Sequence, residues 1–141
     1  MRLLLAVLAA CMLLIAPARA ESLSEQDKAA IQSVITSQIE AFRAENGPAA
    51  YSHASPAIKQ IFPNPEVFMN MVRQGYQPVY RPQSFRFGEA VLAASGRPTQ
   101  RVSVVGPDGL TYEAVYTMEK QPDGSWQISG CALVRAPELG A

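Results

Sequence analysis

The chain contains one histidine, His53, and two cysteines, Cys11 and Cys131. So few imidazoles and thiols form no cluster of metal-ligand spacing, and neither a metal nor a cofactor is expected. Gly-x-Ser-x-Gly elbows and glycine-rich phosphate loops are missing, which removes support for ordinary hydrolase and nucleotide chemistry. No sign of charge is in excess, since 12 basic side chains stand against 12 acidic ones. That balance gives no electrostatic footprint for nucleic acid or an anionic membrane surface. Low-complexity tracts and internal repeats are absent as well.

What is present begins with an export signal. Arg2 precedes an unbroken apolar run from Leu3 to Ile15, followed by Pro17 and the small-x-small site Ala18-Arg19-Ala20. The run is too short to cross a bilayer, which takes about 20 apolar residues. Leu8-Ala9-Ala10-Cys11 matches a lipid-attachment box in residue types, but Met12 to Ala16 stays apolar where a polar tether should begin. The expectation is a signal peptide over residues 1–20, cleaved after Ala20, and a periplasmic or secreted product beginning at Glu21. Cleavage would remove Arg2, Arg19 and Cys11, leaving ten basic side chains against 12 acidic ones. Cys131 would then stand alone, with no intramolecular disulfide open to it.

The hydrophobic period changes midway along the remainder. Ser24 and Asp27 form a capping box, and Ile31, Val34, Ile35, Ile39 and Phe42 fall on one stripe, predicting a helix over Glu25 to Glu45 that Gly47 and Pro48 stop. A turn or two follows over Ala49 to Ala54. Ser55-Pro56 and Asn64-Pro65 each read as an N-cap with proline at the first helical position. They open short helices ending near Ile61 and at Gly75. Pro78 and Pro82 predict an extended Tyr76 to Pro82. The period then becomes two, with strands over Gln83–Leu92, Thr99–Val105, Leu110–Lys120 and Ser125–Val134. Two Pro-Asp-Gly turns join the last three. Helices first and a meander afterwards predict an α+β fold with N-terminal helices on a curved antiparallel meander of four strands or more. One domain over 21–136 and a frayed tail over 137–141 complete the expected layout.

Strand parity then places side chains. Tyr112, Ala114, Tyr116 and Met118 share one face of the third strand; Trp126, Ile128, Gly130 and Ala132 share one face of the fourth. Aromatics beside small residues either leave a hollow under the helices or fill the core. Glu89 shares a face with Phe85, Phe87 and Val91, where burial would make it a general acid or base. Alternatively Gly88 marks a bulge that turns Glu89 out to solvent. His53 is the other weak catalytic candidate. Between helices and sheet lies Arg73 to Pro82, with two tyrosines and two arginines. These either hold an anionic or aromatic ligand or pin the crossover and pair with surface acids. The candidate ligand-binding residues are Tyr76, Tyr80, Arg81, Tyr112, Tyr116 and Trp126.

Ala41-Phe42-Arg43, Ala54 to Ile58, Met71 to Pro82 and Gln121 to Trp126 with Gly130-Cys131 resemble a family of secreted bacterial proteins, domain-of-unknown-function family 4864. That family has no assigned activity, so the resemblance carries over no catalytic residue. More distantly, the element order is similar to the cone-shaped folds of nuclear transport factor 2, ketosteroid isomerase and polyketide cyclases. This likeness implies a pocket, and in many of those proteins a dimer through the outer sheet face. The leading expectation is a non-enzymatic domain that binds a small apolar or aromatic ligand or a protein partner. Alternatives are an isomerase or cyclase with Glu89 or His53 as base, and an assembly protein acting as a homodimer.

Overall fold

The computed structural model describes residues 22–136; the expected signal peptide and the expected frayed tail lie outside the described residues. Helix α1 spans Glu25–Arg43, and the Ser24 hydroxyl accepts from the Asp27 N–H at 3.0 Å. Its apolar stripe is driven into the interior, with Ile31, Ile35 and Ile39 fully buried. Each such side chain contributes about 1.5–3 kcal/mol on leaving water. The helix ends two residues before the expected Glu45. Glu45 takes a left-handed conformation at φ 55°, while Glu45 N–H reaches Phe42 O and Asn46 N–H reaches Ala41 O at 2.9 Å. These two bonds close a Schellman cap around a residue that is usually glycine.

Gly47 and Pro48 therefore open a helix instead of stopping one. Helix α2 spans Gly47–Ser52, capped by Asn46, and α3 spans Pro56–Ile61, capped by Ser55. Helix α4 covers Pro65–Gly75 under an Asn64 cap. The expected extended segment contains a short helix, α5, over Gln77–Tyr80. Proline is harmless in a first turn, where its missing N–H has no partner to lose, and Pro78 sits there. Pro82 acts as expected, holding Arg81 at φ −137° and ψ 58°, outside the helical region.

Four strands follow: β1 Ser84–Leu92, β2 Pro98–Val105, β3 Thr111–Lys120 and β4 Trp126–Arg135. They form an open antiparallel sheet in sequence order. The hairpin glycines Gly96, Gly109 and Gly124 all have positive φ, which side chains with a Cβ rarely adopt. Two irregularities reset the parity. On β1 the register jumps between Phe87 and Ala90, so Glu89 turns outward and is exposed. On β4 the register shifts opposite Thr117 and Met118, with Ser129 as the additional residue. The Ser129 hydroxyl donates to Thr117 O at 3.1 Å. The single face expected for Trp126, Ile128, Gly130 and Ala132 is thereby broken. Trp126 and Ile128 face the helices, and beyond the bulge Cys131 and Leu133 do so instead.

Two packed clusters result. The first joins Ile31, Ile35 and Ile39 to Val102, Val104, Tyr116, Met118, Trp126 and Ile128. The second gathers Phe42, Ala50, Phe68, Met69, Val72 and Tyr80 among the helices. The α2–α3 connection is stitched to β4 by parallel pairing at Ala54. Ile128 N–H donates to His53 O at 2.8 Å and Ser55 N–H to Ile128 O at 2.9 Å.

Candidate functional site

Where the two clusters meet they do not close. A cavity of about 220 Å³ lies between α1, α3, α4, α5 and the inner face of β3 and β4. Phe42 and Phe68 form a buried aromatic wall, while the half-buried Ile58, Phe62, Met71 and Tyr76 surround it. On the sheet side stand Tyr116 and Cys131, paired across the strands. None of the lining residues carries a charged side chain.

Three of the lining residues carry neutral polar groups. Gln38 is buried on α1, and its amide donates to Ala50 O at 3.1 Å. Cys131 has its thiol pushed up to about 12 by burial, so it stays protonated and is a poor nucleophile at neutral pH. The Tyr116 hydroxyl is sealed from solvent, with the weakly hydrogen-bonding Cys131 side chain as its neighbour and no stronger partner among the described residues. Burial raises its pKa well above the ordinary value, with the neighbouring Cys131 adding to the effect.

The residues singled out from the sequence scatter. Tyr76 and Tyr116 line the cavity. Tyr80 is buried in the second cluster and donates its hydroxyl to Glu45 at 2.5 Å. Arg81 pairs with the same carboxylate, donates to Phe42 O at 2.6 Å and lies 4.4 Å above the Tyr80 ring. Arg73 completes this group, reaching Glu45 at 3.2 Å and the Tyr80 hydroxyl at 3.1 Å. The Glu45 carboxyl is held below its usual range, chiefly by the Tyr80 hydroxyl and then by Arg73. The tyrosine and arginines thus pin the crossover to the end of α1. Tyr112 donates to Asp108 at 2.6 Å in the β2–β3 turn. Trp126 is packed in the first cluster, with the Lys120 ammonium 5.7 Å from its ring.

Neither weak catalytic candidate lines the cavity. Glu89 stands outside on the β1 bulge. His53 is half-buried, its pKa lowered by burial and then by Lys59, and its backbone oxygen is engaged by β4. Among the described residues the lining holds no carboxylate and no imidazole. Among the described residues no group of three or more His, Cys, Asp or Glu side chains could hold a metal.

Sequence reasoning missed Gln38, Phe68 and Cys131 as lining residues. One signal was available for Gln38, which lies seven residues beyond Ile31 on the stripe that buries Ile35 and Phe42. Cys131 had none, because its direction depends on the bulge at Ser129.

No curated protein and no solved structure matches the chain, so the likeness to nuclear transport factor 2 rests on element order alone. The family model described as Domain of unknown function (DUF4864) matches residues 24–141. That span takes in all five helices, all four strands and every residue around the cavity, and the chain belongs to this family.

Proposed function

We propose that this chain is an exported, non-enzymatic binding protein that takes up a small, mostly apolar molecule between its helices and its sheet. The observation that carries the reading is an uncharged cavity of about 220 Å³ walled by Phe42, Phe68, Val72 and Tyr116. Burying the apolar body of a guest against these walls supplies about 25 cal/mol per Å² of area removed from water. Size limits the guest: a dry cavity of about 150 Å³ accepts benzene, so one substituted ring or a short acyl segment fits. Export follows from the apolar run and the Ala18-Arg19-Ala20 site, and mass spectrometry of the secreted product should give Glu21 as its first residue.

Binding is tested by thermal shift of the processed protein with single-ring compounds, short acyl chains and steroids. A saturable rise in Tm with the single-ring set, and none with steroids, is expected. If no compound stabilises the protein, the reading fails.

A further inference from the structure

We infer that the guest is a single-chain amphiphile: its alkyl or acyl tail fills the cavity, runs out along an exposed apolar strip on α3 and α4, and keeps its polar head in water. The inference deepens the binding reading above and rests on it. The lining divides by exposure. Phe42, Phe68, Val72 and Val79 are buried and form the deep wall. Among the helical lining residues, Ile58, Phe62, Met71 and Tyr76 are half-exposed. These four belong to α3, to α4 and to the residues that cap their C-terminal ends, so the cavity meets water there.

The apolar surface does not stop at this mouth. Ile61 lies three residues after Ile58 on α3, and Val67 lies four residues before Met71 on α4. Those spacings set side chains beside one another on a helix. Ile61 is 68% exposed and Val67 42%. A scattered exposed aliphatic side chain needs no explanation, but these two extend the cavity wall outward on both helices. None of the α3 residues is buried, so its two isoleucines gain little from the fold as it stands. A compact guest held wholly inside would leave the strip wet, whereas a chain long enough to emerge covers it.

The volume sets where the chain emerges. A dry cavity of about 150 Å³ takes the six carbons of benzene, and in proportion about 220 Å³ takes about nine. Longer chains lay their further methylenes on Ile61 and Val67. A charged head would lose its hydration inside a lining that has no charged side chain, so the head stays out. The charged neighbours of the strip in sequence, Lys59 on α3 and Glu66 on α4, are of opposite sign. The strip therefore favours neither sign of head.

The test is titration calorimetry with octanoate, dodecanoate, octyltrimethylammonium and dodecyltrimethylammonium, each below its micelle concentration. It uses the processed protein and the double variant Ile61→Ser, Val67→Ser, both changes lying at exposed positions. One chain should bind per protein. A fully buried methylene is worth roughly fourfold, so four more on a one-sided strip should tighten binding by about tenfold or more. The double variant should keep its affinity for the octyl chains and retain roughly a third or less of the dodecyl advantage. The inference is overturned if the dodecyl advantage is smaller than about tenfold or survives in the double variant. It also falls if heads of opposite sign differ by more than about tenfold, or if several chains bind. In those cases octyl binding leaves the cavity reading standing. If no chain binds, the inference falls, and stabilisation by single-ring compounds decides whether the cavity reading survives it. A dimer in sedimentation that the double variant loses would assign the strip to a second copy and overturn the inference as well. The chain-length comparison needs no substitution, so poor folding of the variant would not spare it.

Discussion

Tyr116 and Glu45 show two opposite ways for a side chain to be exceptional. Tyr116 has too few partners. In the free protein Tyr116→Phe should leave stability unchanged or raise it by about 1 kcal/mol, measured by urea unfolding; a clear loss would mean that the hydroxyl already has a structural partner. Glu45 has several partners and an unfavourable backbone. Its left-handed φ of 55° is tolerated because its carboxylate gathers Tyr80, Arg73 and Arg81. The carboxyl pKa lies below its ordinary 4.5. Its contribution to stability is therefore complete above that value and drains away as pH falls through the lower folded value. Glu45→Gln should lower Tm at neutral pH and flatten the decline below pH 4.5, followed by melting at a series of pH values. Parity along β3 made Tyr116 legible in the sequence. Glu45 was not, because glycine is the residue that advertises a left-handed cap and the chain uses glutamate there.

At the level of elements, the β1 bulge is propped by a buried side chain. Gln100 is fully buried, and its amide donates to Gly88 O at 3.0 Å and to Arg101 O at 2.8 Å. Its own oxygen accepts from Gln32 on α1 at 3.4 Å. Gln100→Leu would strand the Gly88 carbonyl and should destabilise by about 1–3 kcal/mol. It should also raise hydrogen exchange along Ala90 to Leu92; unchanged exchange would separate Gln100 from the bulge. Four strands and the main helices could be read because caps, prolines and Asp-Gly turns act locally. Gly88 announced the first bulge in the same way. The Ser129 bulge carries no such mark on its own residue, and a slip of one position exchanges the two faces of everything after it. That is why strand parity alone sets Cys131 and Leu133 opposite Trp126 and Ile128, whereas all four pack on the helix side. In α5 the conflict lay between two proline rules, and the one permitting proline in a first turn won.

Across the whole molecule, α1 belongs to both packed clusters, with Ile31, Ile35 and Ile39 in one and Ala41 and Phe42 in the other. A shared rod of this kind predicts one cooperative unfolding transition. Trp126 fluorescence reports the sheet side and helical circular dichroism the other; separate midpoints would refute the coupling. Ile35→Ala should cost about 2–5 kcal/mol and shift both signals together. The α+β layering was legible because the change of period is a property of long segments. The cavity was not, since its walls come from residues on α1, α3, α4, α5, β3 and β4 that only folding assembles. The β4 bulge has a final consequence for the sulfur chemistry of the chain. In a regular strand Cys131 would emerge on the open side of the sheet, ready to cross-link two copies under oxidising conditions. One extra serine swings it inward beneath the helices, onto the cavity wall and away from the sheet face through which a neighbouring copy's thiol could approach.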